Sequence, residues 1–224
     1  MPVDPENLDP SGADAPVLVL LTGPLAPPAA TAELATALGR YASVLAPRLE
    51  PHPVRPADLG DPALQVLAAL TAARTERALL CGVGFGALVA LQVAAAQPQR
   101  VSGLVLSTQA PALGGAVRSV HAGVAGLLPA STLQRWSRRS ALVALEEVRV
   151  REHRPLTPLV RTPALVLYGA DDPDNAPSSV RLAEALVAGT AQSVPGGTPG
   201  WVWRDPVSWA EAAGPFLLRH ATPG

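Results

Sequence analysis

At 224 residues with 48% apolar content and a formal charge of -1, the chain is long enough for one sizeable hydrophobic core, and it lacks the excess of Lys and Arg with which a nucleic-acid binder coats one face. All 17 basic residues are Arg, and the nearest thing to a basic patch, Arg135-Trp136-Ser137-Arg138-Arg139, reads as a solvated helix face. A single cysteine, Cys81, excludes an internal disulfide framework and a cysteine-rich metal cluster; no metal or cofactor is expected.

The first 14 residues, MPVDPENLDPSGAD, have neither the basic start nor the apolar run of a secretory signal, and no apolar stretch approaches about 18 residues. They are expected to form a disordered tail on a soluble, cytoplasmic protein. From Ala15 onward, short apolar runs bounded by Gly, Pro and Asp alternate with segments of helical spacing, the pattern of a mostly parallel sheet covered by helices. In chain order the spacing predicts a strand over 17–22, a helix over 31–40, a strand over 42–47, a helix over 62–74, a strand over 78–82, a helix over 85–96 and a strand over 101–107. After an interruption come a strand over 164–169, a helix over 178–188, a strand over 191–194 and a closing helix over 206–219. Asp61-Pro62 and Asp205-Pro206 each offer an acidic N-cap followed by Pro at the first helical position. The near-continuous apolar strands fit burial on both faces.

Residues 111–160 break the alternation and read as a small helical cap, with helices near 116–128 and 131–150. There is no internal repeat. Residues 15–220 are therefore expected to form a single domain with this reduced cap inserted in it, and 221–224 a short tail.

The stretch ALLCGVGFGALVALQ, residues 78–92, combines a buried strand, a turn of the form small-x-residue-x-small and a helix. This is the nucleophile-elbow pattern, in which the central residue is held in a strained conformation above the sheet while small flanking residues let two backbones approach. On Gly82 and Gly86 as those flanks, the chain resembles the α/β-hydrolase family, and three further landmarks stand in order. LVLLTGPLAP, residues 18–27, is similar to the family's early strand and oxyanion loop. TPALVLYGADDP, residues 162–173, is similar to the late strand that carries the catalytic acid, which would be Asp172. SVPGGTPGWVWRDPVSWAEAAGPFLLRH, residues 193–220, is similar to the terminal segment with the catalytic His and the closing helix. The resemblance implies an α/β-hydrolase fold of about six strands with helices on both faces.

The same alignment changes the expected chemistry. Acyl transfer needs a hydroxyl to attack, an imidazole to take its proton, a carboxylate to orient the imidazole and amides to hold the oxyanion. Gly84 stands at the nucleophile position, Thr198 at that of the His (Pro199 if the spacing to Pro206 is counted strictly), and Pro24, which has no amide hydrogen, at one oxyanion position. The amide of Phe85 is left as the main oxyanion donor. The resemblance is thus to a member lacking the nucleophile and the catalytic His, and no intact catalytic set is expected.

G-V-G-F-G-A also fits a dinucleotide fingerprint, yet the following strand ends Ser107-Thr108-Gln109 without an acid for ribose, and the turn follows the third strand instead of the first. Asp172 is either the old catalytic acid or part of an Asp-Asp-Pro-Asp-Asn turn, the turn being favoured. Cys81 reads as a core thiol, Ser107 as a capping hydroxyl, and His52, His121, His153 and His220 as exposed or packing residues, His220 with a charge suited to a helix C-terminus. Trp201, Trp203 and Trp209 read chiefly as core around the closing helix, although Leu25, Phe85, Leu127, Leu128, Trp201 and Trp203 could wall an apolar pocket. These residues imply a pseudo-hydrolase that binds a small apolar or acyl/ester-like ligand, or a protein partner, with no nucleic acid and no membrane span. The alternatives are an active esterase with a relocated nucleophile and base (Ser107, Cys81 and His121 the candidates) and a structural subunit.

Overall fold

The computed structural model describes residues 15–23, 26–49, 59–107 and 156–221. The inferred N-terminal tail (1–14), nearly all of the inferred cap and the last three residues lie outside them, as do Pro24, Leu25, His52, His121, Leu127, Leu128 and His153.

The chain opens with β1 (Val17–Leu21), α1 (Pro28–Leu38), β2 (Ser43–Leu45), α2 (Gly60–Ala72), β3 (Ala78–Val83), α3 (Phe85–Ala96) and β4 (Val101–Ser107). It continues with β5 (Ala164–Gly169), α4 (Ala176–Ala185), β6 (Gly189–Val194), α5 (Trp201–Arg204) and α6 (Pro206–His220). The strands form one six-stranded sheet in the order β2-β1-β3-β4-β5-β6, and each neighbouring pair is parallel. Parallel neighbours require a crossover, and the helices between strands supply it.

Strand side chains alternate between the two faces and divide the core. Leu80, Leu104, Leu106 and Val166 pack with Val66 and Leu70 of α2, with α3 and with Leu182 of α4. Leu79, Cys81, Val83, Val105, Leu165 and Leu167 face Leu34 and Leu38 of α1, Trp201 of α5, and Trp209 and Leu217 of α6. Burying each large aliphatic side chain contributes roughly 1.5–3 kcal/mol. The result is a three-layer sandwich with α1, α5 and α6 on one face and α2, α3 and α4 on the other.

Several boundaries differ from the sequence reading for local reasons. The α1 helix starts at Pro28 because Pro at the first position needs no amide partner. Thr31 lies inside that helix, its hydroxyl donating back to the Pro27 carbonyl at 2.9 Å. Asp61 is not the cap of α2: the helix begins at Gly60 with Leu59 in the cap position, leaving Asp61 in the first turn. Asp205 does cap α6, accepting from the Ser208 amide at 3.0 Å. β6 begins two residues early, at Gly189, where a Cβ would lie 2.3 Å from the Ala183 carbonyl oxygen; the glycine lets the strand run tightly under α4. The four-residue α5 was not foreseen, and it follows Gly200 at φ 78°.

Candidate functional site

The strand order reverses direction at β1, where β2 lies on one side and β3 on the other. The helices that follow β1 and β3 depart to opposite faces, the arrangement that defines a topological switch point at the carboxyl ends of these strands. Ligands of open α/β sheets bind at such a switch point. Gly84 sits there.

The turn has the elbow geometry. Gly84 adopts φ 57°, ψ -119°, its amide donates to the Ser107 carbonyl at 2.8 Å, and its carbonyl accepts from Ala87 at 3.0 Å. The flanking glycines are sterically required. A Cβ on Gly86 would lie 1.9 Å from the Leu21 carbonyl oxygen, and one on Gly82 would lie 2.6 Å from the Ala87 Cα. Strand β3, helix α3 and the end of β1 thus touch through backbone, and this contact fixes Gly84 above the sheet. Phe85 opens α3 and is buried.

A second pair of loops meets in the same way. Gly169, ending β5, packs backbone to backbone on Gly197, since a Cβ on Gly169 would fall 2.0 Å from the Gly197 carbonyl oxygen. The Ala170 amide donates to Val194 and the Asp171 amide to Gly197, each at 2.9 Å. The segment with Thr198 therefore lies beside the turn with Asp172, as the order of motifs requires. Asp172 is 1% exposed, and its carboxylate accepts from Asn175 twice, from the amide at 3.2 Å and from Nδ2 at 2.6 Å. Thr198 is exposed, and its hydroxyl and the Pro199 carbonyl accept from the Arg204 guanidinium.

The remaining candidates separate. Cys81 is fully buried in the α1/α6 layer, and burial pushes its thiol well above the ordinary range, so it is a core group. Ser107 pairs in register with Val83, but its hydroxyl caps nothing: it is buried and finds no hydrogen-bond partner, contrary to the capping role expected from its place at a strand end. Strand alternation sends that hydroxyl to the α6 face with Val105, away from α3. Trp209 is fully buried and Trp201 nearly so in the same layer, with Trp203 packed against its rim. His220 lies against the Phe216 ring, centroids 4.4 Å apart. Burial, and then the charge of Arg219, hold its pKa below the ordinary value, so it does not bring the favourable helix-end charge expected of it near neutral pH. Asn175 and Arg204 were not singled out from the sequence. The signal for Asn175 was present in Asp-Asp-Pro-Asp-Asn, where an amide three residues after an acid closes a turn.

Among the described residues, no His, Cys, Asp and Glu cluster could hold a metal ion, and no helix is long and apolar enough to cross a membrane.

No protein-family model and no curated protein sequence matches the chain. Solved structures do. Cfl2 from Burkholderia cenocepacia superposes with a TM-score of 0.68 at 20% identity, over 92% of this chain and 89% of that one. The 2-hydroxy-6-oxo-6-phenylhexa-2,4-dienoate hydrolase from Rhodococcus sp. strain RHA1 gives 0.67 at 17% identity, over 93% and 91%. The enol-lactonase from Burkholderia xenovorans LB400 gives 0.64 at 21% identity, over 91% of each chain. With the sheet order and the elbow, these similarities show that the chain has the α/β-hydrolase fold.

Proposed function

We propose that this protein is a non-catalytic α/β-hydrolase-fold protein that binds a small, apolar, acyl- or ester-like ligand at the carboxyl edge of its sheet. The observation that carries this reading is Gly84. It holds the elbow conformation, φ 57° and ψ -119°, and brings no nucleophilic atom to it. Loss of nucleophile or base alone lowers turnover by roughly a million-fold in the subtilisin example. Here Gly84, Thr198 and Pro24 together stand where nucleophile, base and one oxyanion donor are required. The ligand class is suggested by structures of the same fold, named for a dienoate hydrolase and an enol-lactonase, and by the apolar side chains of Phe85, Trp201 and Trp203 near the carboxyl edge. A protein partner on the same edge is the other occupant this reading allows.

A second reading, an esterase with a relocated nucleophile, rests on the unbonded hydroxyl of Ser107 beside the elbow. One experiment separates the two. Purified protein is incubated with short- and medium-chain nitrophenyl esters and with a fluorophosphonate probe. The binding reading expects neither turnover nor labelling, whereas labelling that disappears in Ser107→Ala overturns it. Binding itself is measured by titrating non-hydrolysable acyl ethers and following Trp fluorescence.

A further inference from the structure

We infer that Asn175 is a positioning residue, the built-in partner of the Asp172 carboxylate, and that in this role it competes with any imidazole on the neighbouring loop for that carboxylate. The inference rests on the non-catalytic reading and names a further residue that enforces it.

A carboxylate that is 1% exposed is costly unless its oxygens are hydrogen-bonded. In acyl-transfer enzymes an imidazole N–H supplies such a bond and is oriented by it. In this chain the polar groups of Asp172 are satisfied from within its own turn. Its amide donates to the Gly169 carbonyl at 3.2 Å and its carbonyl accepts from Ala176 at 3.0 Å. One carboxylate oxygen takes the Asn175 amide at 3.2 Å, and the other takes Asn175 Nδ2 at 2.6 Å. The Asn175 side chain presents its amide nitrogen, its only donor, to the carboxylate.

The bond between the Asp171 amide and Gly197 brings the Thr198 loop alongside, so a side chain at 198 is the natural candidate to approach the Asp172 carboxylate. Thr198 is instead held by Arg204. Each of the two vestigial positions is thus bonded to its own near neighbour in sequence.

The test places an imidazole at 198 and watches it by NMR. Thr198→His and Thr198→His/Asn175→Ala are compared, with Asn175→Ser as the milder second variant if the alanine form is unstable. The expected result is that in Thr198→His alone the ring titrates near the ordinary histidine value of about 6.5. Removing the Asn175 amide raises that value and yields a low-field, exchange-protected imidazole proton that vanishes in Asp172→Asn. The inference is overturned if the single variant already shows that proton, or if the double variant, folded by circular dichroism, lacks it. In parallel, a denaturation cycle of Asp172→Ala and Asn175→Ala should show coupling of about tenfold or more in the folding equilibrium constant; additive effects refute the partnership. Failure here leaves the binding reading intact, while fluorophosphonate labelling of the unmodified protein defeats that reading independently.

Discussion

Gly84 joins conformation to chemistry at a single residue. Its φ of 57° lies where a side chain is strained, so Gly84→Ala is expected to destabilise the protein by about 1–3 kcal/mol, measured by urea unfolding. Gly84→Ser should cost a similar amount and create no efficient esterase, because the one histidine among the described residues, His220, packs on Phe216 in the closing helix; nitrophenyl acetate turnover well above that of the unmodified protein would show that the base has been misplaced. Gly86→Ala carries a different penalty, since its Cβ would overlap the Leu21 carbonyl oxygen at 1.9 Å, and the β1 and α3 backbones would have to part. Ser107 works in the opposite direction. Its buried hydroxyl has no partner, and removing an unsatisfied buried group relieves a desolvation penalty, so Ser107→Ala should be neutral or stabilising by about 1 kcal/mol. These residue roles were unequally legible in the sequence. The flanking glycines were readable because backbone contact admits no substitute. The unbonded state of Ser107 was not, because the same hydroxyl in sequence is equally consistent with a cap.

At the scale of elements, α6 shows how local and long-range chemistry combine. Its start is specified by Asp205 and Pro206, and its inner face by Trp209, Ala210, Ala213 and Leu217. Asp205→Ala should cost about 1 kcal/mol, seen as a lower urea midpoint with an unchanged slope. At the other end His220 is held below its ordinary pKa by burial and by Arg219. A lowered folded pKa means the fold favours the neutral ring, so this contribution is fully present above about pH 6.5 and is lost as pH falls through the folded value. The ring is only part-buried, so the effect is small; it should appear as a steeper fall in Tm between neutral and mildly acidic pH than His220→Gln shows. The long apolar strands and α3 were read correctly from the sequence because burial on both faces leaves an uninterrupted apolar run. Short elements were harder. Residue 189 fell between the helix expected over 178–188 and the strand expected over 191–194, yet its glycine lets β6 begin, and α5 is too short for any periodicity to declare itself.

For the whole molecule, the sheet divides the core into two layers that scarcely share side chains. Leu70→Ala on the α2/α3 face and Leu217→Ala on the α6 face should each cost about 2–5 kcal/mol. Combined, they should add to within about 0.5 kcal/mol, whereas strong non-additivity would reveal coupling through the sheet. The overall architecture was legible in the sequence because the alternation of elements and four ordered motifs point to one fold. The partners of Asp172 and Thr198 were not, because they depend on which side chains fold back within a turn. One consequence of the all-parallel order concerns the route by which the chain reaches this state. Leu18 pairs with Leu79, and Leu104 with Ala164, so no strand can join its neighbour through a tight hairpin, and each pairing must first close a long loop. Such topologies fold slowly, and their apolar strands wait exposed while they do. The protein's vulnerable moment is therefore its synthesis and refolding, when β1 must remain unpaired on one side until β3 has emerged.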